Sequence, residues 1–109
     1  MIRDDKVYLA HILDAIQQIA AYTNGMDYLE FRTARMAQDA VIRQFEIIGE
    51  AAKNLSAEFR RRHDGIPWKD LAGFRDKLIH QYFGVDLATV WRSVEDDLPV
   101  LMDELVKIT

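Results

Sequence analysis

Residues 27–55, DYLEFRTARMAQDAVIRQFEIIGEAAKNL, decide the fold class. Within them Phe31, Ala34, Ala37, Val41, Phe45, Ile48, Ala51 and Leu55 recur at steps of three and four, the spacing of one helix face. The pattern predicts a single helix from about Asp27 to about Leu55, roughly 40 Å long at 1.5 Å per residue, unless it breaks near Phe31 to Thr33. A helix of that length is long for so small a chain, and a paired second copy would help to cover it.

The flanking segments read the same way. Asp4 or Asp5 can N-cap a first helix whose stripe is Val7, Leu9, Ile12, Leu13, Ile16 and Ile19. Asn24 and Gly25 end it, because both tolerate the left-handed cap conformation. Ser56 caps a brief helix through Arg62, closed by Asp64 and Gly65. Pro67 suits the first turn of the next helix, where a missing N–H costs nothing. That helix carries Trp68, Leu71, Phe74, Leu78 and Ile79 and ends near His80 or Gln81, with Gly73 inside it as a candidate for close helix–helix approach. Asp86 caps the last helix, built on Leu87, Val90, Trp91, Val94 and Leu98, and Pro99 should kink or restart it. No segment alternates with period two between turn residues, so strands are not supported. The expected fold is all-α, a bundle of four or five helices.

Composition sets the frame. The chain has 109 residues, half of them hydrophobic, which suits one domain over 1–109 with a real core. It has no Cys, which excludes disulfides and thiolate chemistry and fits a reducing cytoplasm. The charged start, MIRDDKVYLAHI, is not a signal peptide, and no apolar run approaches the ~20 residues that span a bilayer. The expectation is a cytoplasmic protein with no membrane partner.

The densest chemistry lies at residues 75–82, RDKLIHQY. Arg75 is a fixed cation that can hold phosphate bidentately, and His80 can exchange a proton near neutral pH. The pair points to phosphodiester chemistry that needs no metal and no cofactor. Spacing alone also fits a surface Arg and a helix-end His facing solvent. Residues five apart lie about 140° apart around a helix, so Arg75 and His80 do not share a face. Asp76 and His80 do, and Asp76 can hold one imidazole nitrogen. This geometry leans towards a composite site at a two-fold dimer interface.

The net charge of −4 is unusual for a protein that grips RNA. From Glu58 to His80, however, six cations face four anions, a net of +2, which leaves −6 for the remainder. Arg60, Arg61, Arg62 and Lys77 in that stretch are the candidate phosphate contacts. His63 beside them reads as exposed, and His11 as a boundary residue of the first helix. Trp68 and Trp91 sit at core spacing. Glu46 and Glu50, at i and i+4, have no His at ligand spacing and read as a structural network, either with Arg43 or across a dimer.

These residues together resemble a family. RDKLIHQY is similar to the Arg-x4-His-x-Tyr signature of HepT-type toxins, members of the HEPN-domain ribonucleases. FEIIGEAA at 45–52 resembles the glycine–glutamate block of their second helix, and Ile66-Pro67-Trp68 the turn into the signature helix. Val85-Asp86 with Val90-Trp91, and Asp97-Leu98-Pro99, resemble the start and kink of the last helix. Five blocks in order cover essentially the whole chain. Many such nucleases carry Asn after the motif Arg, where this chain has Asp76.

The resemblance implies a HEPN-like homodimer that cleaves RNA without metal. Arg75 would stabilise charge on phosphate oxygens, His80 would act as general acid or base, and Asp76 would position His80. It also implies a partner, a minimal nucleotidyltransferase antitoxin that attaches AMP to Tyr82. Three classes of function compete: a ribonuclease toxin, a non-catalytic HEPN module that binds nucleotide or RNA or serves as a subunit of a nucleotidyltransferase, and a purely structural dimer.

Overall fold

The structure is a computed structural model and describes residues 4–81 and 84–109. Seven α-helical segments occur among them: α1 (Asp5–Thr23), α2 (Tyr28–Phe31), α3 (Arg35–Asn54), α4 (Ala57–Arg62), α5 (Trp68–His80), α6 (Leu87–Arg92) and α7 (Leu98–Lys107). A π-helical turn, Ser93–Asp97, joins the last two. The fold is all-helical, as expected, and the four long helices carry the bundle. No helix among the described residues is long and apolar enough to cross a membrane.

The local signals place most boundaries. The Asp4 carboxylate accepts the Lys6 N–H at the start of α1, and Gly25 takes φ +78° just past its end. Ser56 and Asp86 cap α4 and α6, and Pro67 stands immediately before α5. Thr89 and backbone N–H groups bonding its carboxylate hold the Asp86 carboxyl below its ordinary range.

The single helix expected from about Asp27 to about Leu55 is in fact two, and the interruption falls where a break was the stated exception. Asp27 and Glu30 form a capping box that opens α2 as a separate short helix. The chain then turns through Arg32–Ala34, where the Phe31 carbonyl accepts the Ala34 N–H at 3.1 Å and the Gln38 side-chain amide at 2.9 Å. With 20 residues, α3 is about 30 Å long, so helix length no longer argues for a second copy.

Around Pro99 the helix rearranges rather than stops. Proline has no N–H to give, and its ring clashes with the carbonyl four residues back. The preceding turn widens accordingly, with the Leu98 N–H donating to the Ser93 carbonyl five residues earlier.

The core runs between α1, α3 and α7 and extends under α5. Ile12, Ile19, Phe31, Ile48, Leu55 and Leu105 are fully buried. Phe31 packs on Trp91 with ring centroids 4.9 Å apart, and Phe45 meets Phe74 edge-on at 5.1 Å. Trp68 and Trp91 are both core residues, as their spacing implied. Val7 is a correction: it is 45% exposed, on the side of α1 away from its buried face.

Gly73 is a second correction. It faces open space, with nothing near enough to meet a Cβ. The close approach belongs to Gly49 on α3. A Cβ there would collide with the Cβ of Arg75 and stand 2.8 Å from the Leu71 carbonyl oxygen. The missing side chain lets α5 lie directly against α3, which determines where Arg75 stands.

Candidate functional site

The site is built on the α3–α5 crossing. Glu50, next to Gly49, reaches across it, and its Oε2 pairs with Nη2 of Arg75 at 3.0 Å. Nη1 of Arg75 donates to Oδ1 of Asp76 at 2.9 Å. Lys53, one turn along α3 from Glu50, donates to the same Asp76 oxygen at 3.3 Å. Two cations and two carboxylates therefore form one network with no net charge.

This network orients Arg75. Its side chain is only 25% exposed, and its Nε is buried with no partner among the described residues. A guanidinium held by two carboxylates is positioned before any ligand arrives, but an incoming phosphate must compete with both. The Arg75 guanidinium, and after it Lys53, hold the Asp76 carboxyl below the ordinary carboxylate range, so Asp76 stays ionised at neutral pH.

That arrangement accounts for the hydrogen bonds of Asp76 among the described residues. Its carboxylate faces Arg75 and Lys53, and the His80 ring makes no hydrogen bond or ion pair among the described residues. The reason is electrostatic: two permanent cations lie within 3.3 Å of Asp76, whereas His80 sits exposed at the last residue of α5. Arg75 and His80 stay on different faces of one continuous helix, as the 140° separation required. Tyr82 lies outside the described residues.

The other basic candidates fall elsewhere. Arg60 and Arg61 line a cleft with Trp68 and Lys69 at the start of α5, about 18 Å along the helix from His80. Arg61 and Lys77 are exposed, while Arg62 is paired with Glu58 at 2.9 Å. His63 is half-buried rather than exposed, because its ring packs on Phe59 at 4.7 Å.

Beside Arg75 the structure opens a groove of about 330 Å³ that the sequence did not reveal. Its walls include Tyr8 and His11 of α1, Arg43, Glu46 and Glu50 of α3, and Arg75 of α5. His11 thus shares a groove with the motif Arg, while His80 does not line it. Position 11 carries no signal for this, since only the packing of α1 on α3 brings it there. The Arg43–Glu46 pair was legible at i, i+3 and is present at 3.5 Å.

Comparisons with known proteins agree with the motif blocks. The family model described as "Ribonuclease HepT-like" matches residues 12–108. A protein of Thermococcus cleftensis named "Probable ribonuclease HepT" is 44% identical over 108 residues, covering 99% of this chain and 98% of that one. A Methanocaldococcus jannaschii protein named "Gamma-glutamylcyclotransferase and putative RNase" is 51% identical over 108 residues, or 99% of this chain. This chain spans only 49% of that relative's length. A "Putative RNase" of Caldanaerobacter subterraneus is 41% identical over 101 residues, covering 93% of this chain and 90% of that one. No solved structure matches this chain.

Proposed function

Because this chain belongs to the HepT-like ribonuclease family, we propose that it is a metal-independent RNA endonuclease acting as the toxin of a toxin–antitoxin pair. The observation that carries this reading is Arg75, held in a fixed orientation by Glu50 across the α3–α5 crossing, with His80 ending the same helix. The names of the relatives support RNA as the substrate.

In this mechanism His80 removes the proton from a ribose 2′-hydroxyl or delivers one to the leaving 5′-oxygen. The 2′-oxygen attacks phosphorus, the bond to the 5′-oxygen breaks, and a cyclic phosphate remains. Arg75 stabilises the charge that gathers on the non-bridging oxygens. Asp76 acts through Arg75, by fixing its guanidinium. Residues 1–109 act as one HEPN-like domain and pair as a homodimer, so that Arg75 of one copy and His80 of the other can serve one phosphate. Arg60, Arg61, Arg62 and Lys77 hold flanking phosphates. A minimal nucleotidyltransferase antitoxin adds AMP to Tyr82, and the new phosphate competes with RNA for Arg75.

A second reading has one observation in its favour. The Arg75 network carries no net charge, which suits a module that binds nucleotide or RNA without cleaving it. Cleavage assays on the purified protein separate the two. His80→Ala should lose ~10²–10⁴-fold in rate, EDTA should change nothing, and Tyr82→Phe should cleave yet gain no AMP mass from the antitoxin and ATP. Unchanged cleavage by His80→Ala, or loss of cleavage in EDTA, would overturn the mechanism. An AMP adduct that persists in Tyr82→Phe would place the modification elsewhere.

A further inference from the structure

We propose that the groove between α1, α3 and α5 is a subsite for one unpaired nucleobase, and that it selects guanine. The proposal rests on RNA being the ligand of this chain and names the part of RNA that the groove would read. Its volume, about 330 Å³, lies at the low end of the ~300–1,000 Å³ of small-molecule sites, which suits a single base.

Three features of the lining point to a base. The first is aromatic: Tyr8 and His11, one turn apart on α1, stand edge to face with centroids 6.1 Å apart and form one wall. Unpaired bases stack on such side chains. The second is cationic. Arg43 on α3 and Arg75 on α5 both line the groove, so the phosphates of a nucleotide seated there would meet guanidinium groups, with Arg75 reached in competition with its two carboxylates.

The third feature is Glu46, which sets the choice of base. Glu50 is committed, to Arg75 at 3.0 Å and to the Asn54 amide at 3.3 Å. Glu46 is not: its ion pair is with Arg43 at 3.5 Å, and that Arg side chain is 69% exposed. Such a contact is longer than a good N–H···O bond of ~2.7–3.2 Å. The Glu46 side chain is itself only 22% exposed, so it is a largely desolvated acceptor holding a weak partner. A half-buried carboxylate with one long contact has lone pairs to spare, and N–H donors from a ligand would make shorter, charge-assisted bonds to it.

An ionised carboxylate only accepts hydrogen bonds. Guanine alone offers it two adjacent donors, the N1–H and the 2-amino group. Adenine and cytosine each present an amino group beside a ring nitrogen whose lone pair the carboxylate repels. Uracil presents one N–H between two carbonyl oxygens. On binding, Glu46 exchanges its long contact with Arg43 for two N–H donors, and Arg43 is released to the phosphate.

The test is binding of 3′-GMP, 3′-AMP, 3′-CMP, 3′-UMP and 3′-IMP to the full chain by calorimetry, beside cleavage of RNAs that vary at one position. GMP should bind about tenfold more tightly than AMP, CMP or UMP, as a charged hydrogen-bond pair typically provides. IMP keeps the N1–H but lacks the 2-amino group and should fall between. Glu46→Gln should reduce the guanine preference to about twofold or less, and Tyr8→Ala should weaken all five ligands alike. Equal binding of all five, no binding, or an undiminished guanine preference in Glu46→Gln overturns the subsite. The IMP arm needs no variant and so stands even if a substitution impairs folding. Cleavage without base preference would sink the subsite and leave the ribonuclease reading intact. Guanine-selective binding without cleavage would do the reverse.

Discussion

One hydrogen atom in place of a methyl group at residue 49 sets the geometry of the Arg75 site. A Cβ on Gly49 would occupy the space of the Arg75 Cβ and press on the Leu71 carbonyl, and backbone cannot swing aside as a flexible side-chain end can. Gly49→Ala gains up to ~1 kcal/mol of helix propensity, but overpacking costs ~1–3 kcal/mol. The outcome should be net destabilisation, with α5 displaced and the Glu50–Arg75 pair disturbed. Gly73→Ala is the matched control. It lies on the same helix as Arg75 with open space around it, so it should stabilise by ~0.4–1 kcal/mol. Thermal melts of the two variants should therefore move in opposite directions. A Gly49→Ala protein that melts above the parent would show that the two helices are not held at this distance by residue 49.

At the scale of elements, the short helix α4 depends on a distant carboxylate. Asp5, in the first turn of α1, accepts the Ser56 backbone N–H at 2.7 Å through Oδ1 and the Ser56 hydroxyl at 2.8 Å through Oδ2. The same hydroxyl oxygen accepts the Phe59 N–H at 3.1 Å and so caps α4. One serine thus ties the end of α3, the start of α4 and the start of α1 together across 51 residues of sequence. Ser56→Ala should cost about 1 kcal/mol, the usual loss for a removed cap. Asp5→Ala should loosen the same junction, and the double variant should lose less than the sum, since both remove one shared bond. Additive losses in denaturant melts would show that the two residues act independently. The rearranged turn before Pro99 is the other device at this scale, and it keeps α6 and α7 on one continuous helical backbone.

At the scale of the whole molecule, the question is whether one copy suffices. Arg75 is tied inward to Glu50 while His80 is exposed at the helix end, and nothing within the described residues brings the two together. Apolar side chains remain outside as well: Val100 and Val106 on α7 are 62% and 60% exposed, and Met36 at the start of α3 is 88% exposed. The proposed homodimer should appear as a stable two-copy species in sedimentation at micromolar concentration. Mixing an Arg75→Ala chain with a His80→Ala chain should then restore part of the cleavage that each has lost, because a mixed dimer contains one intact composite site. A stable monomer that cleaves RNA would remove the need for a second copy and require His80 to reach Arg75 within one chain.

The sequence determined whatever depends on neighbours a few residues apart. Helix caps at Asp4, Ser56 and Asp86, the stop at Gly25, the break near Phe31 and the widened turn before Pro99 all follow from backbone hydrogen-bonding rules that act within one or two turns. The placement of Arg75 and His80 on one helix was legible for the same reason, as was the i, i+3 pair of Arg43 with Glu46. Tertiary structure decided everything that depends on how one helix is rotated against another. Gly49 and Gly73 look alike in a helical pattern, and only packing shows which one faces a neighbour. The pairing of Arg75 with Glu50, the contact of Lys53 with Asp76, and the meeting of Tyr8 and His11 with Glu46 in one groove are contacts between residues far apart in the chain. A side chain's local period tells which face it occupies, but not what the fold will bring to that face.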